Sequence, residues 1–196
     1  MPMPSTAAVI LAAGASFRLG EPKQLLAVRG ESLLRRSVRL ATEAWCSPVI
    51  VVLGAYAERM LPELAGLPVV TVHNSDWQKG MAASVRAGVS AAKQAEHVLL
   101  MVCDQPGVSV DSLRHLIQTH LENTLPITAS RYNDTLGVPA VFAASLFDEL
   151  LRLEGDQGAR KVIAAHHDHT TIVDFPEGSV DVDTPEDAQF LKHLPQ

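Results

Sequence analysis

The chain has 196 residues, of which 47% are hydrophobic and 19% charged, with a formal net charge of -6. This balance excludes a disordered chain and suits one α/β domain over 1–196, while the acidic charge argues against a general nucleic-acid binder without excluding a nucleotide held by local cations. No apolar run reaches membrane-spanning length, residues 1–5 carry no cationic and apolar leader, and Cys46 and Cys103 lack a Cys-x-x-Cys partner, as in a cytoplasmic protein with buried free thiols.

The apolar run at 7–12 predicts a first strand. It leads into Gly14-Ala-Ser-Phe-Arg18-Leu-Gly20-Glu-Pro-Lys23, a glycine-rich loop with two cations. Glycines let backbone N–H groups approach phosphate oxygens, and Arg18 and Lys23 supply charge. Ala12, Ala13 and Ser16 belong to the same candidate nucleotide site. The loop is not a P-loop, because five residues separate Gly14 from Gly20 and Lys23 is displaced. The dinucleotide fingerprint Gly-x-Gly-x-x-Gly is absent as well.

A helix over 32–45 places Leu34, Val38, Ala41 and Trp45 on one face, and strands are predicted at 48–53 and 68–72. Gly80-Met-Ala-Ala-Ser-Val-Arg86 opens a helix whose bare glycine leaves N–H groups for an anion or a base carbonyl. Ser84, one turn in, is placed to bond a base or ribose, although the alanines around it also suit ordinary helix packing. The strand at 97–102 ends at Cys103-Asp104-Gln105-Pro106, and a helix follows over 112–121. Strands are expected at 126–129 and 137–142, then an amphipathic helix at 143–153. A Gly155-Asp-Gln-Gly-Ala-Arg160 turn, a helix at 161–166 and strands at 170–174 and 180–182 complete the order. Thr184-Pro-Glu-Asp187 opens the last helix, with Thr184 as N-cap and Asp187 closing a capping box.

This alternation favours a mostly parallel sheet with helices on both faces. Right-handed crossovers put the strand C-ends on one edge, where ligands of such sheets collect. Asp104 then faces the same cleft as Gly14 and Lys23. A carboxylate at a strand end beside a triphosphate loop suits Mg²⁺, which takes one or two carboxylates plus phosphate oxygens and water; the plainer alternative is a helix cap. Alternation along 180–182 puts Asp181 and Asp183 on one face with Val182 opposite. Asp183 either joins Asp104 at the metal or favours the last helix electrostatically. His166-His-Asp-His169 has suitable ligand types for a transition metal, but near-adjacent residues rarely converge on one ion, and the stretch reads as a solvated turn. Without a Gly-x-Ser-x-Gly elbow, covalent catalysis has no support.

Taken together, Leu11-Ala-Ala-Gly14 with its loop to Lys23, Gly80 to Gly88, Asp104-Gln-Pro106, Gly137-Val-Pro139, Gly155 to Arg160 and Asp181 to Asp187 resemble the MobA-like NTP transferases over about 7–191. The likeness is strongest to their molybdenum cofactor cytidylyltransferase (MocA-like) branch. It implies a Rossmann-like sheet of the nucleotide-diphospho-sugar transferase type with a small antiparallel insertion. It also implies Mg²⁺-dependent transfer of CMP from CTP to the terminal phosphate of molybdenum cofactor (molybdopterin), releasing pyrophosphate. A molybdoenzyme or its maturation factor is the implied protein partner. The family's loop residues carry over onto Gly14, Arg18, Gly20 and Lys23, its metal aspartate onto Asp104, and its closing motif onto Asp183. Catalytic roles are thereby expected of Arg18, Lys23 and Asp104. Where the guanylyl branch has Leu-Ala-Gly-Gly, Ala13 adds a methyl that crowds a purine more than a pyrimidine. Val138 stands where family members often carry a polar residue. A sugar- or polyol-phosphate nucleotidyltransferase and a non-catalytic cofactor chaperone are the competing readings.

Overall fold

The structure is a computed structural model that describes residues 5–190. The leader reading falls mainly on 1–4, and the family likeness ends at 191; both positions lie outside the described residues. In chain order the elements are β1 (Thr6–Ala12), β2 (Ala27–Val28), β3 (Glu31–Ser32), α1 (Leu33–Glu43), β4 (Val49–Leu53), α2 (Ala57–Leu64), β5 (Val69–His73), α3 (Met81–Ala91), β6 (His97–Val102) and α4 (Val110–Glu122). There follow β7 (Ile127–Tyr132), β8 (Thr135–Ala143), α5 (Phe147–Leu151), α6 (Ala159–Ala165), β9 (Thr170–Asp174) and α7 (Pro185–Phe190).

Seven strands form one sheet in the order β5-β4-β1-β6-β8-β7-β9. β5, β4, β1 and β6 are mutually parallel; β8 runs against both β6 and β7, and β9 is parallel to β7. The period-2 alternation of β1 explains the layers. Ala8, Ile10 and Ala12 face a core with Leu34, Val38, Met60, Leu113 and Leu116, from α1, α2 and α4. Ala7, Val9 and Ala13 face Val85, Val89, Leu150 and Val162, from α3, α5 and α6. Both faces are covered, as the continuous apolar strands required. The small antiparallel insertion is the β2–β3 hairpin, turned by Arg29 and Gly30 at positive φ. No helix among the described residues is long and apolar enough to cross a membrane.

Two expected elements differ and one helix was not expected. Residues 180–182 form no strand: Val182 donates its N–H to the Asp104 carbonyl at 3.0 Å, a loop contact rather than a ladder. The expected helix at 143–153 divides into a 3-10 turn, Ala144–Leu146, and the short α5. α2, which carries an internal Pro62, has no counterpart in the sequence reading.

Candidate active site

β1 and β6 lie side by side with Leu11 opposite Val102, so the chain leaves both strands at the same level of the sheet. β4 and β5 lie to one side of β1 and β6 to the other, which makes this a topological switch point, where open α/β sheets bind ligands. A cleft of about 520 Å³ opens there. Ala13, Gly14, Lys23, Gly80, Ser84 and Asp104 line it.

Lys23 brings the charged residues together. Its ammonium pairs with the Asp104 carboxylate through Oδ2 and with Asp183 Oδ1 at 2.7 Å. Asp183 Oδ2 also accepts from Arg18 Nη2 at 2.5 Å. Burial alone would lower the Lys23 pKa, but the two carboxylates outweigh it and the pKa is raised, so the lysine stays charged. The hydrogen bond from Lys23 holds the Asp183 pKa below the usual range. The Arg18 side chain is 73% exposed, so its own pair with Asp183 adds little stability.

The loop that carries these cations is shaped by residues outside the cleft lining. Ser16 takes φ +50°, and its carbonyl accepts the N–H groups of Leu19 and Gly20 at 3.1 Å each. Its hydroxyl accepts from the Lys23 N–H at 3.2 Å, and Gly20 turns the chain at φ +79°. The Ala12 methyl is packed in the core. Ser16, Gly20 and Ala12 therefore build the site rather than face the cleft. Sequence reasoning passed over Gln24, although its amide ties the strand end to the loop. Its Nε2 donates to the Ala12 carbonyl at 3.3 Å and the Gly14 carbonyl at 2.9 Å.

The helix-start expectation is corrected in part. Gly80 does begin α3 in the left-handed region at φ +101°, where glycine is favoured. Two of the first-turn N–H groups are nevertheless committed: Ala82 donates to the Gly155 carbonyl at 3.1 Å and Ala83 to the Gly80 carbonyl at 3.3 Å. A side chain at 80 would collide with Gly155 and Asp156, so the 155–160 turn presses directly on the helix start. Ser84 is buried, and its Oγ accepts from Asn74 Nδ2 at 3.0 Å. Trp77 and Asp156 also line the cleft; the sequence reading placed Asp156 in the Gly155–Arg160 motif but gave neither residue a role in the site.

The closing acids arrive by a return path. After β9 the chain crosses the strand-end edge, where the Gly178 carbonyl accepts from Gln105 Nε2 at 3.2 Å. Val182 is fully buried against Val28 and Leu33, leaving Asp181 exposed and Asp183 half-buried on either side. Burial raises the Asp181 pKa, the charges of Asp104 and Asp183 add to this, and Lys23 and Arg160 oppose it. Asp187 closes the capping box, accepting from the Asp183 N–H at 3.1 Å and the Thr184 N–H at 2.8 Å. Arg160 donates to the Tyr132 hydroxyl at 3.1 Å, which donates to the Val138 carbonyl at 3.0 Å. A side chain at Gly137 would strike that hydroxyl, so the 137–139 motif serves this contact through backbone, whatever residue stands at 138.

The His166–His169 stretch does not converge: His166 Nε2 contacts Glu149 at 2.9 Å, and His167 Nδ1 lies 3.5 Å from its neighbour Asp168. No group of three or more His, Cys, Asp or Glu side chains among the described residues is gathered for a metal. The residues at Lys23 do fit a hard divalent cation bound mainly through substrate phosphates, which takes only one or two carboxylates. Two carboxylates meet on one positive charge, and Asp104 Oδ1 is buried without a hydrogen-bond partner. Cys103, beside this acid, has its thiol pushed up to about 12 by burial and is no nucleophile.

A family model described as the MobA-like NTP transferase domain matches residues 8–170. The chain is 34% identical over 193 residues to nicotine blue oxidoreductase of Paenarthrobacter nicotinovorans, covering 94% of this chain and 95% of that one. It is 26% identical over 181 residues to the molybdenum cofactor cytidylyltransferase of Escherichia coli strain K12, covering 91% of each. Among solved structures, Rv0371c of Mycobacterium tuberculosis H37Rv matches with a TM-score of 0.84 at 32% identity, covering 97% of this chain and 99% of that one. A manganese complex of the same protein matches at 0.76 and 31%, covering 97% and 100%. The family match begins within β1 and reaches the start of β9, and the chain belongs to the MobA-like NTP transferase family.

Proposed function

We propose that the protein transfers CMP from CTP to the terminal phosphate of molybdenum cofactor and releases pyrophosphate, the whole chain acting as one nucleotidyltransferase domain. The observation that carries this reading is the meeting of Lys23 from the early loop with Asp104 from mid-chain at the switch point. A pure carrier of the cofactor has no need of that pairing. In the free protein the acids hold the cations in place. When a triphosphate enters, its oxygens compete for Arg18 and Lys23, and Lys23 turns from the carboxylates toward the phosphates. Gly14 lets the backbone approach them closely, and the base lies toward Gly80 and Ser84.

Asp104 and Asp183 would hold Mg²⁺, which when bound supplies Lewis-acid charge neutralisation. The chain's own groups then position the reactants. Lys23 and Arg18 offset charge on the departing pyrophosphate, and the acceptor phosphate attacks the α-phosphorus in line. A phosphate monoester is already anionic near neutral pH, so no strong base is required and the work is positioning and electrostatics. The Ala13 methyl on the cleft wall favours a pyrimidine. The E. coli cytidylyltransferase supports the acceptor, and the manganese complex of Rv0371c supports a divalent metal.

The likeness to nicotine blue oxidoreductase favours a second reading, a redox enzyme built on the same cleft. One experiment separates the two. The protein is incubated with each NTP, Mg²⁺ and molybdenum cofactor, then with sugar phosphates in its place, and separately with NADH or NADPH and a dye acceptor. A cytosine dinucleotide product with pyrophosphate is expected. Nucleotidyl transfer to a sugar phosphate alone, or nicotinamide oxidation without nucleotidyl transfer, would remove the proposal. Binding of the cofactor without any turnover would instead favour a carrier.

A further inference from the structure

The Gly155–Arg160 turn has no role in the chemistry so far, yet it places Asp156 in the cleft lining. Of the two acids that line the cleft, Asp104 is engaged by Lys23, whereas the Asp156 carboxylate has no hydrogen bond or ion pair among the described residues. Its Oδ1 lies against Gly80, which must lack a side chain to admit it. Ser84 stands four residues further along α3, on the same helix face. Its Oγ already accepts from Asn74, which leaves the hydroxyl proton free to be donated into the cleft. The cleft therefore presents an acceptor at the start of α3 and a donor one helical turn further along it.

We infer that Asp156 and Ser84 read the pairing edge of the base, and that Asp156 is the residue that selects cytosine over uracil. This rests on the reading of the cleft as a nucleotide site. Cytosine offers an exocyclic amino donor at one end of its edge and a carbonyl acceptor at the other. The carboxylate accepts from the amino group, and the Ser84 hydroxyl donates to the ring carbonyl. Uracil has a carbonyl oxygen in place of the amino group and an N3–H in place of the ring acceptor, so its carbonyl oxygen would face the carboxylate. A site built to accept an N–H rejects the analogue that lacks it, because a polar group is then left unpaired or opposed. This discrimination is independent of the Ala13 methyl, which acts on ring size.

Calorimetric titration with Mg·CTP and Mg·UTP, without acceptor, tests the assignment on the wild type, Asp156→Asn and Asp156→Ala. The wild type is expected to favour CTP by about 30-fold or more. Asp156→Asn should bring the ratio near one or invert it, because the amide can present its N–H to the uracil carbonyl. Asp156→Ala should weaken CTP by about tenfold and leave UTP unchanged. Unchanged thermal melts would show that the isosteric variant is folded. A wild-type CTP:UTP ratio in Asp156→Asn overturns the assignment even if CMP transfer to molybdenum cofactor proceeds. An Asp156-dependent ratio without transfer to any acceptor leaves the assignment standing and removes the proposed reaction. Failure to bind either nucleotide overturns both.

Discussion

Lys23 holds together two carboxylates that would otherwise repel each other, and Asp104 keeps one oxygen buried without a hydrogen-bond partner. Asp104→Ala removes the better-buried partner. We expect it to cost two to three orders of magnitude in kcat at saturating Mg²⁺, roughly 3–4 kcal/mol of transition-state stabilisation. A circular dichroism melt should show the fold retained, and near-wild-type turnover would take Asp104 out of the mechanism. Ala13 lines the cleft, and its Cβ lies against Gly54. Ala13→Gly should shift the kcat/KM ratio of GTP to CTP upward by about tenfold, the scale of one or two methylene-sized contacts. An unchanged ratio would show that the methyl does not gauge ring size.

At the scale of elements, α3 packs on the sheet through Gly88, where an added methyl would run into Val9 of β1. This close approach carries Gly80 and Ser84 to the mouth of the cleft. At the other end of the sheet, β6, α4 and β7 meet through a buried polar chain. His97 Nδ1 and His120 Nε2 lie 3.0 Å apart, and His120 Nδ1 lies 3.1 Å from Thr128 Oγ1. Burial, with the neighbouring His97 adding to it, lowers the His120 pKa from the usual 6.5 to about 4. Between those values the unfolded chain binds more protons than the folded one. The stabilisation is therefore complete above about 6.5 and is lost as pH falls toward 4. The slope is up to roughly 1.4 kcal/mol per pH unit for one such histidine. Urea midpoints measured at pH 7, 6 and 5 should fall steadily, and a flat profile would show that the pair carries no such cost.

For the whole molecule, ligand binding and folding are linked. Mg·CTP bound only by the native state should stabilise it by about 2.7 kcal/mol at a hundredfold excess over Kd. The melting temperature should rise with nucleotide in the wild type and much less in Lys23→Ala, as followed by scanning calorimetry. Equal shifts in both proteins would place the nucleotide elsewhere.

Local pattern in the chain determined the strand-and-helix alternation, the glycine loop after β1, the acid after β6 and the capping box at Thr184. Each is written in a few consecutive residues, and backbone sterics and apolar periodicity act over that range. The same range could not decide where Asp181 and Asp183 go, because residues 180–182 look like a strand until Val182 is seen buried beneath the β2–β3 hairpin. Nor could it show that the Ala82 N–H at the start of α3 is taken by Gly155, that Asp156 enters the cleft, or that His120 meets His97. Those outcomes depend on strand order and on which loops the sheet edge brings together, and contacts between residues dozens of positions apart exist only once the core has packed.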